Sequence, residues 1–146
     1  MIKIASQLFL LVLASATVCV AQQKGDRRIY LSTDKPADSN YREFGRLLIK
    51  NGFDIRVRDD MFLKLGTEPK KYYYTTGRIE YYKYIMVDLI FVDNNIIAEM
   101  KFKPKGSRWN PVIYDKKKPW MVEAFKVVTV LMEEYGGELG FSNMKK

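Results

Sequence analysis

The stretch from Arg78 to Lys103 constrains the fold more than any other part of the chain. Ile79, Tyr81, Ile85, Val87, Leu89 and Phe91 fall on one face of an extended segment, interrupted only by Lys83. Asp93-Asn94-Asn95 follows, a tight-turn sequence because Asn tolerates positive φ. Beyond it Ile96, Ala98, Met100 and Phe102 point one way while Glu99, Lys101 and Lys103 point the other. Period-two alternation on both sides of a tight turn specifies a β-hairpin, and strands joined so closely run antiparallel.

The flanking segments supply the remaining layers. Ile29-Tyr30-Leu31 with Ser32-Thr33 reads as a short strand bounded by Asp34-Lys35-Pro36. A helix is expected from Asp38 or Asn40: Asn40 and Glu43 have capping-box spacing, and Tyr41, Phe44, Leu47 and Leu48 share an apolar face. Asn51-Gly52 stops it. Phe53, Ile55 and Val57 alternate with Asp54, Arg56 and Arg58 as in a half-buried strand. Asp59-Asp60 makes a turn, and Met61, Leu63 and Leu65 continue on a second short strand ended by Gly66. Glu68-Pro69-Lys70-Lys71 reads as a loop and Lys103 to Lys118 as a long connection.

Pro119 fits the first turn of a last helix, whose apolar stripe is Met121, Ala124, Phe125, Val128, Leu131, Met132 and Tyr135. Gly136-Gly137 ends it, and Glu138 to Lys146 is expected to fray. The order β-α-β-β-β-β-α gives an α+β fold, an antiparallel sheet of about five strands with two helices packed on one face. Phe125 and Leu131 are expected against the sheet face that carries Ile55, Val87, Leu89 and Met100. No internal repeat is visible.

At the N-terminus Lys3, the apolar run Leu8 to Ala14, and Cys19-Val20-Ala21 follow the order of a secretory signal peptide. Residues 1–21 are therefore expected to be removed, leaving 22–146 as a single exported domain in the periplasm or outside the cell. Two alternatives are an uncleaved anchor helix and a lipid-modified Cys19, although Val18 stands where lipidation normally has a smaller residue. The chain has no histidine and one cysteine. That excludes an imidazole base, Ser-His-Asp and Cys-His nucleophile systems, and His-ligated metals. With the leader gone, no thiol remains and the core alone holds the domain.

The most distinctive polar segment interleaves cations and aromatics. Lys103, Lys105, Arg108, Trp109, Lys116, Lys117, Lys118 and Trp120 are the candidate ligand-binding residues, combining charge for attraction with aromatic faces for stacking. Anionic lipid head groups, acidic glycans or an acidic partner protein suit them, and nucleic acid does not suit an exported chain. The other reading is a solvated connection, with the tryptophans covering the core edge. Tyr72-Tyr73-Tyr74, Tyr81-Tyr82 and Tyr84 suit either a flat recognition face or cross-strand packing. Arg56 and Arg58 suit a phosphate or carboxylate, or ion pairs with Asp54 or Glu80. Asp59-Asp60 and Asp93-Asn94-Asn95 offer oxygen ligands without the spacing of a calcium loop, so no metal or cofactor is expected. No catalytic residue is assigned. A small histidine-independent hydrolase would need two carboxyls flanking one cleft, ~5–10 Å apart.

From Phe44 to Thr67 the chain carries Leu48-Ile49-Lys50-Asn51-Gly52-Phe53-Asp54-Ile55, then Asp59-Asp60 and Lys64-Leu65-Gly66-Thr67. This stretch, roughly a sixth of the chain, resembles the α+β domains of bacterial outer-membrane-assembly lipoproteins and similar exported envelope domains. The resemblance implies a protein-interaction module with no catalytic motif. The expected function is a non-enzymatic cell-envelope binding module. Its partner is an unknown envelope protein or an anionic surface, with membrane contact only peripheral or through a lipid anchor at Cys19.

Overall fold

The structure, a computed structural model, describes residues 22–104 and 108–142. Residues 1–21, which carry the expected signal peptide and Cys19, lie outside the described residues, as does Lys105. The elements are β1 (Arg28–Ser32), α1 (Ala37–Lys50), β2 (Ile55–Asp59), β3 (Lys64–Thr67), β4 (Lys70–Thr76), β5 (Ile79–Val92), β6 (Asn95–Phe102), β7 (Asn110–Pro111), α2 (Pro119–Tyr135) and β8 (Glu138–Ser142). The fold is α+β, but its sheet has eight strands rather than about five. All pairs are antiparallel, in the order β2-β3-β5-β6-β1-β8, with β4 on the part of β5 that runs past β3 and β7 on the end of β6.

The central hairpin forms, in register from Val92 opposite Asn95 to Ile85 opposite Phe102, so that Asn95 belongs to the strand and not to the turn. Its turn is the two residues Asp93 and Asn94, and Asp93 takes the positive φ, 54°. Three segments read as irregular are strands. Lys70 and Lys71 belong to β4, because Tyr72 to Thr76 pair along Lys83 to Ile79 and extend the hydrogen-bonded ladder back through both lysines. Asn110-Pro111 forms β7 against Lys101 and Phe102. Glu138 to Ser142 does not fray: Gly136 and Gly137, at φ 91° and 140°, turn the chain back so that β8 pairs the whole of β1.

A further correction concerns β2. The register shifts between Ile55 and Val57, a β-bulge that reverses the alternation beyond it. Val57 is consequently opposite Gly66 and exposed on the open face, while Arg58 is opposite buried Leu65 and on the helix side. Met61, expected inward, is exposed in the turn before β3.

Helix α1 starts at Ala37 after Pro36, without a side-chain cap. Asn40 is therefore not a cap. It is fully buried within the helix, where its Nδ2 donates to Thr33 Oγ1 (2.9 Å) and to the Lys35 carbonyl (2.9 Å). Its Oδ1 accepts from the Tyr135 hydroxyl at 3.0 Å, which ties the β1–α1 connection to the end of α2. Removing the amide strands buried polar groups, so Asn40→Ala is expected to destabilise the fold by about 1–3 kcal/mol. A lowered urea midpoint with unchanged slope is the measurement.

Both helices cover one face of the sheet. Ile29, Leu31, Ile85, Val87, Leu89, Phe91, Ile96, Ala98 and Met100 are buried there with Phe44, Leu48, Phe125, Leu131 and Met132, while Ile55 is half-buried at the margin. Phe44 meets Phe91 and Tyr135 edge-on at centroid distances of 6.3 and 5.3 Å. The opposite face carries charge. Asp88 and Glu99 face each other across β5 and β6, each neutralised by a neighbour: Lys101 on Asp88 at 2.5 Å, and Arg28 on Glu99. No helix among the described residues is long and apolar enough to cross a membrane.

Candidate functional site

The connection between β6 and α2 is gathered around Phe102. Lys103 follows it directly, Asn110 of β7 is in register with it, and the Trp120 ring sits 4.7 Å from its ring. Lys103 and Arg108 are exposed and Trp109 is half-buried, with the Arg108 carbonyl accepting from Asn110 Nδ2 at 3.2 Å. The middle of the connection is anchored. Val112 is fully buried, Tyr114 packs on Phe125, and the Tyr114 backbone exchanges bonds with Gly25 and Asp26. Lys116, Lys117 and Lys118 form an exposed turn, where Asp115 Oδ1 accepts from the Lys117 amide at 3.0 Å. Pro119 at the first helical position starts α2, and Trp120 is half-buried. The basic residues thus fall in two groups, Lys103 with Arg108 and Lys116 to Lys118, separated by a structured stretch.

Beside it, β4 and β5 leave the sheet as a two-stranded ribbon. Ile79 to Tyr84 of β5 pair only with β4 among the described residues, so their other edge carries no strand. Ile79 and Tyr81, expected inside, are exposed because the ribbon runs past the core. Lys71, Tyr73, Tyr82 and Tyr84 share one ribbon face, with the Lys71 ammonium 4.2 Å from the Tyr82 ring centre and 5.6 Å from that of Tyr73. Tyr73 and Tyr82 stay 55% and 51% exposed. On the other face Tyr74 stacks on Tyr81 at 5.6 Å, and the Lys83 ammonium lies over Trp120 at 5.8 Å. The tyrosines are thus cross-strand pairs and an exposed surface at once. Tyr72 is the exception: burial raises its pKa, and its hydroxyl has no hydrogen-bond partner among the described residues.

A third feature was hidden in the sequence. A cleft of about 440 Å³ separates α1 from the β2–β3 hairpin, lined by Asp38, Tyr41, Arg42, Arg46, Ile49, Arg58, Asp60, Leu63 and Leu65. Gly45 allows this packing, since a Cβ there would come within 3.2 Å of Leu65 Cδ1. Arg42 pairs with Asp38 at 2.7 Å. The Tyr41 hydroxyl donates to Asp60 at 2.5 Å, and burial, then this bond, push its pKa up to about 12. Tyr41 therefore stays a donor across the physiological range. Arg46 and Arg58 have no ion pair among the described residues. Alternation places Arg58 on the solvent face beside Arg56, and the bulge turns it into this cleft instead. The spacing of Asp38, Arg42 and Arg46 on one helical ridge was the available signal, but nothing local to it names the strand it faces.

The turn beyond the cleft is unusual. Asp59 Oδ1 accepts from the amides of Met61 (3.1 Å) and Phe62 (3.0 Å), and Leu63 takes φ 47°, a left-handed conformation costing about 1–2 kcal/mol for a residue with a Cβ. The Leu63 carbonyl accepts from the Phe91 amide at 3.1 Å, and its side chain packs on the core margin. No family model matches this chain, and no curated protein matches it.

Proposed function

We propose that the chain is a non-enzymatic binding module of the cell envelope, exported by residues 1–21, which docks an extended acidic segment of a partner protein along the free edge of β5. The observation that carries this reading is the edge from Ile79 to Tyr84, which pairs with no strand among the described residues. An open edge offers backbone donors and acceptors in register for an added strand. The exposed tyrosines flank that edge with contact area of low entropic cost, as aromatics do in recognition surfaces. Lys70, Lys71, Arg78 and Lys83 against the single Glu80 bias the ribbon toward an acidic partner. A second reading assigns an anionic head group or acidic glycan to Lys103, Arg108, Lys116, Lys117 and Lys118 with Trp109 and Trp120, supported by the exposure of the five cations and by Trp120 packing on Phe102 next to Lys103.

One titration separates the two. A labelled peptide of about seven residues alternating Glu and Val is followed by fluorescence anisotropy at low salt, beside an analogue N-methylated at alternate positions. The expected result is binding that weakens about tenfold or more on N-methylation, and again when Lys71, Arg78 and Lys83 become Glu. Reversing Arg108, Lys116, Lys117 and Lys118 to Glu is expected to leave it unchanged. Equal binding of both peptides rules out strand addition. Loss of binding confined to the second set of reversals moves the site to the 103–120 connection.

A further inference from the structure

We infer that the turn between β2 and β3 is a membrane-docking tip: Met61 and Phe62 enter the interface of an anionic bilayer, while Arg46 and Arg58 in the adjoining cleft hold the phosphate of one lipid. This site is separate from the β5 edge and does not depend on it.

The apolar half of the tip rests on exposure. Met61 and Phe62 are 83% and 62% exposed, adjacent in sequence and in the middle of a turn. Neither side chain is needed to build that turn. The Asp59 carboxylate holds their amides, and the Leu63 carbonyl is bonded to Phe91. Leu63 adopts its left-handed conformation and goes inward, so the two residues before it are left pointing at solvent. Two adjacent large apolar side chains on a convex tip suit a soft apolar phase better than a rigid pocket. Lys64, whose ammonium lies 5.4 Å from the Phe62 ring centre, adds a cation at the level where head groups would lie.

The charged half rests on placement. The β-bulge turns Arg58 to the helix side, opposite the ridge of Arg42 and Arg46. Asp38 engages Arg42 and Tyr41 engages Asp60, which leaves Arg46 and Arg58 as the cleft's cations without a carboxylate ion pair among the described residues. A planar guanidinium matches phosphate oxygens two at a time. The same cleft is lined by Ile49, Leu63 and Leu65, apolar surface suited to the glycerol and first acyl carbons of a lipid. Free phosphate would account for the arginines and leave Met61 and Phe62 unexplained. A bilayer accounts for both.

Flotation of the exported chain, residues 22–146, with vesicles tests this. Vesicles of phosphatidylglycerol and phosphatidylcholine are compared with phosphatidylcholine alone, and circular dichroism confirms that each variant is folded. The unmodified chain is expected to float with the anionic vesicles only. Met61→Ser with Phe62→Ser, and separately Arg46→Glu with Arg58→Glu, are each expected to lower the partition coefficient about tenfold or more. Lys116→Glu with Lys117→Glu and Lys118→Glu is expected to lower it less than either pair. Three results overturn the proposal: no flotation of the unmodified chain, flotation indifferent to Met61 and Phe62, or flotation lost only with the three lysines. Glycerol 1-phosphate supplies the soluble arm. If it saturates the cleft, read as amide shifts at Ile49, Arg58 and Leu63, while vesicles fail to bind, the ligand is a free phosphate ester and the membrane reading falls.

Discussion

Phe125→Ala is expected to lower the unfolding free energy by about 3–5 kcal/mol, the range for emptying a fully buried aromatic site. Phe125 is 0% exposed on α2, in the core that both helices make with the sheet. Its ring also meets Tyr114 edge-on at 5.2 Å, and Tyr114 anchors the β6–α2 connection through backbone bonds to Gly25 and Asp26. The substitution therefore removes core volume and loosens the connection together. Domains of this size are stable by only about 5–15 kcal/mol in total, so the variant would sit near the limit of folding. Urea unfolding gives the magnitude, and hydrogen exchange at the Tyr114 amide gives the location. Val130→Ala, on the same helix but 50% exposed, is the control and is expected to stay within about 0.5 kcal/mol. Equal losses from the two variants would contradict the packing of α2 described above.

Gly137→Ala is expected to cost about 2–4 kcal/mol and to release β8. Two independent penalties meet at this position. Its φ of 140° is one that L side chains rarely adopt, and a Cβ there would lie 2.4 Å from the Ser32 carbonyl oxygen. That oxygen belongs to backbone, so the clash is relieved only by separating the strands. Gly25 isolates the first penalty, because it has φ 104° with open space around the position of a Cβ. Gly25→Ala should consequently cost only about 1 kcal/mol. Faster amide exchange throughout β8 in the Gly137 variant, and not in the Gly25 variant, is the expected pattern. Wild-type exchange in β8 would show that the close approach to Ser32 is absent in solution.

What the sequence disclosed follows from how far each signal reaches along the chain. The β5–β6 hairpin and both helices were legible because their signals, alternation about a tight turn and apolar stripes at helical spacing, are local. The order of elements then gave the α+β class. The β4 strand was missed because Tyr72-Tyr73-Tyr74 is aromatic on both faces and shows no alternation; its pairing with β5 is what gives it two sides. Gly136-Gly137 reads as a stop in sequence and is a reversal in the structure, since glycine permits both and only the waiting edge of β1 decides. Asn40 with Glu43 imitates a cap, yet the helix starts earlier and the amide serves a buried network contributed by Thr33, Lys35 and Tyr135. The arginine cleft was hidden for a related reason. A bulge is one extra residue, and reading alternation through it places Arg58 on the wrong face. The basic residues between Lys103 and Lys118 are visible in sequence as a group, but their division by the anchored Val112 to Tyr114 stretch is not.

The position of β1 has a consequence for how the chain reaches this state. The earliest described strand is flanked by β6 and β8, so it gains its neighbours only after most of the polypeptide exists. Pairings this distant along the chain impose a large closure entropy before any contact rewards it, and they slow folding accordingly. On the ribosome, the N-terminal portion has no partner strand to settle against, and a nascent chain halted before residue 138 would leave β1 open on one side. Full pairing of β1 is thereby postponed until β8 has been made. For a chain exported as proposed above, a sheet completed this late is compatible with threading through a narrow pore before folding.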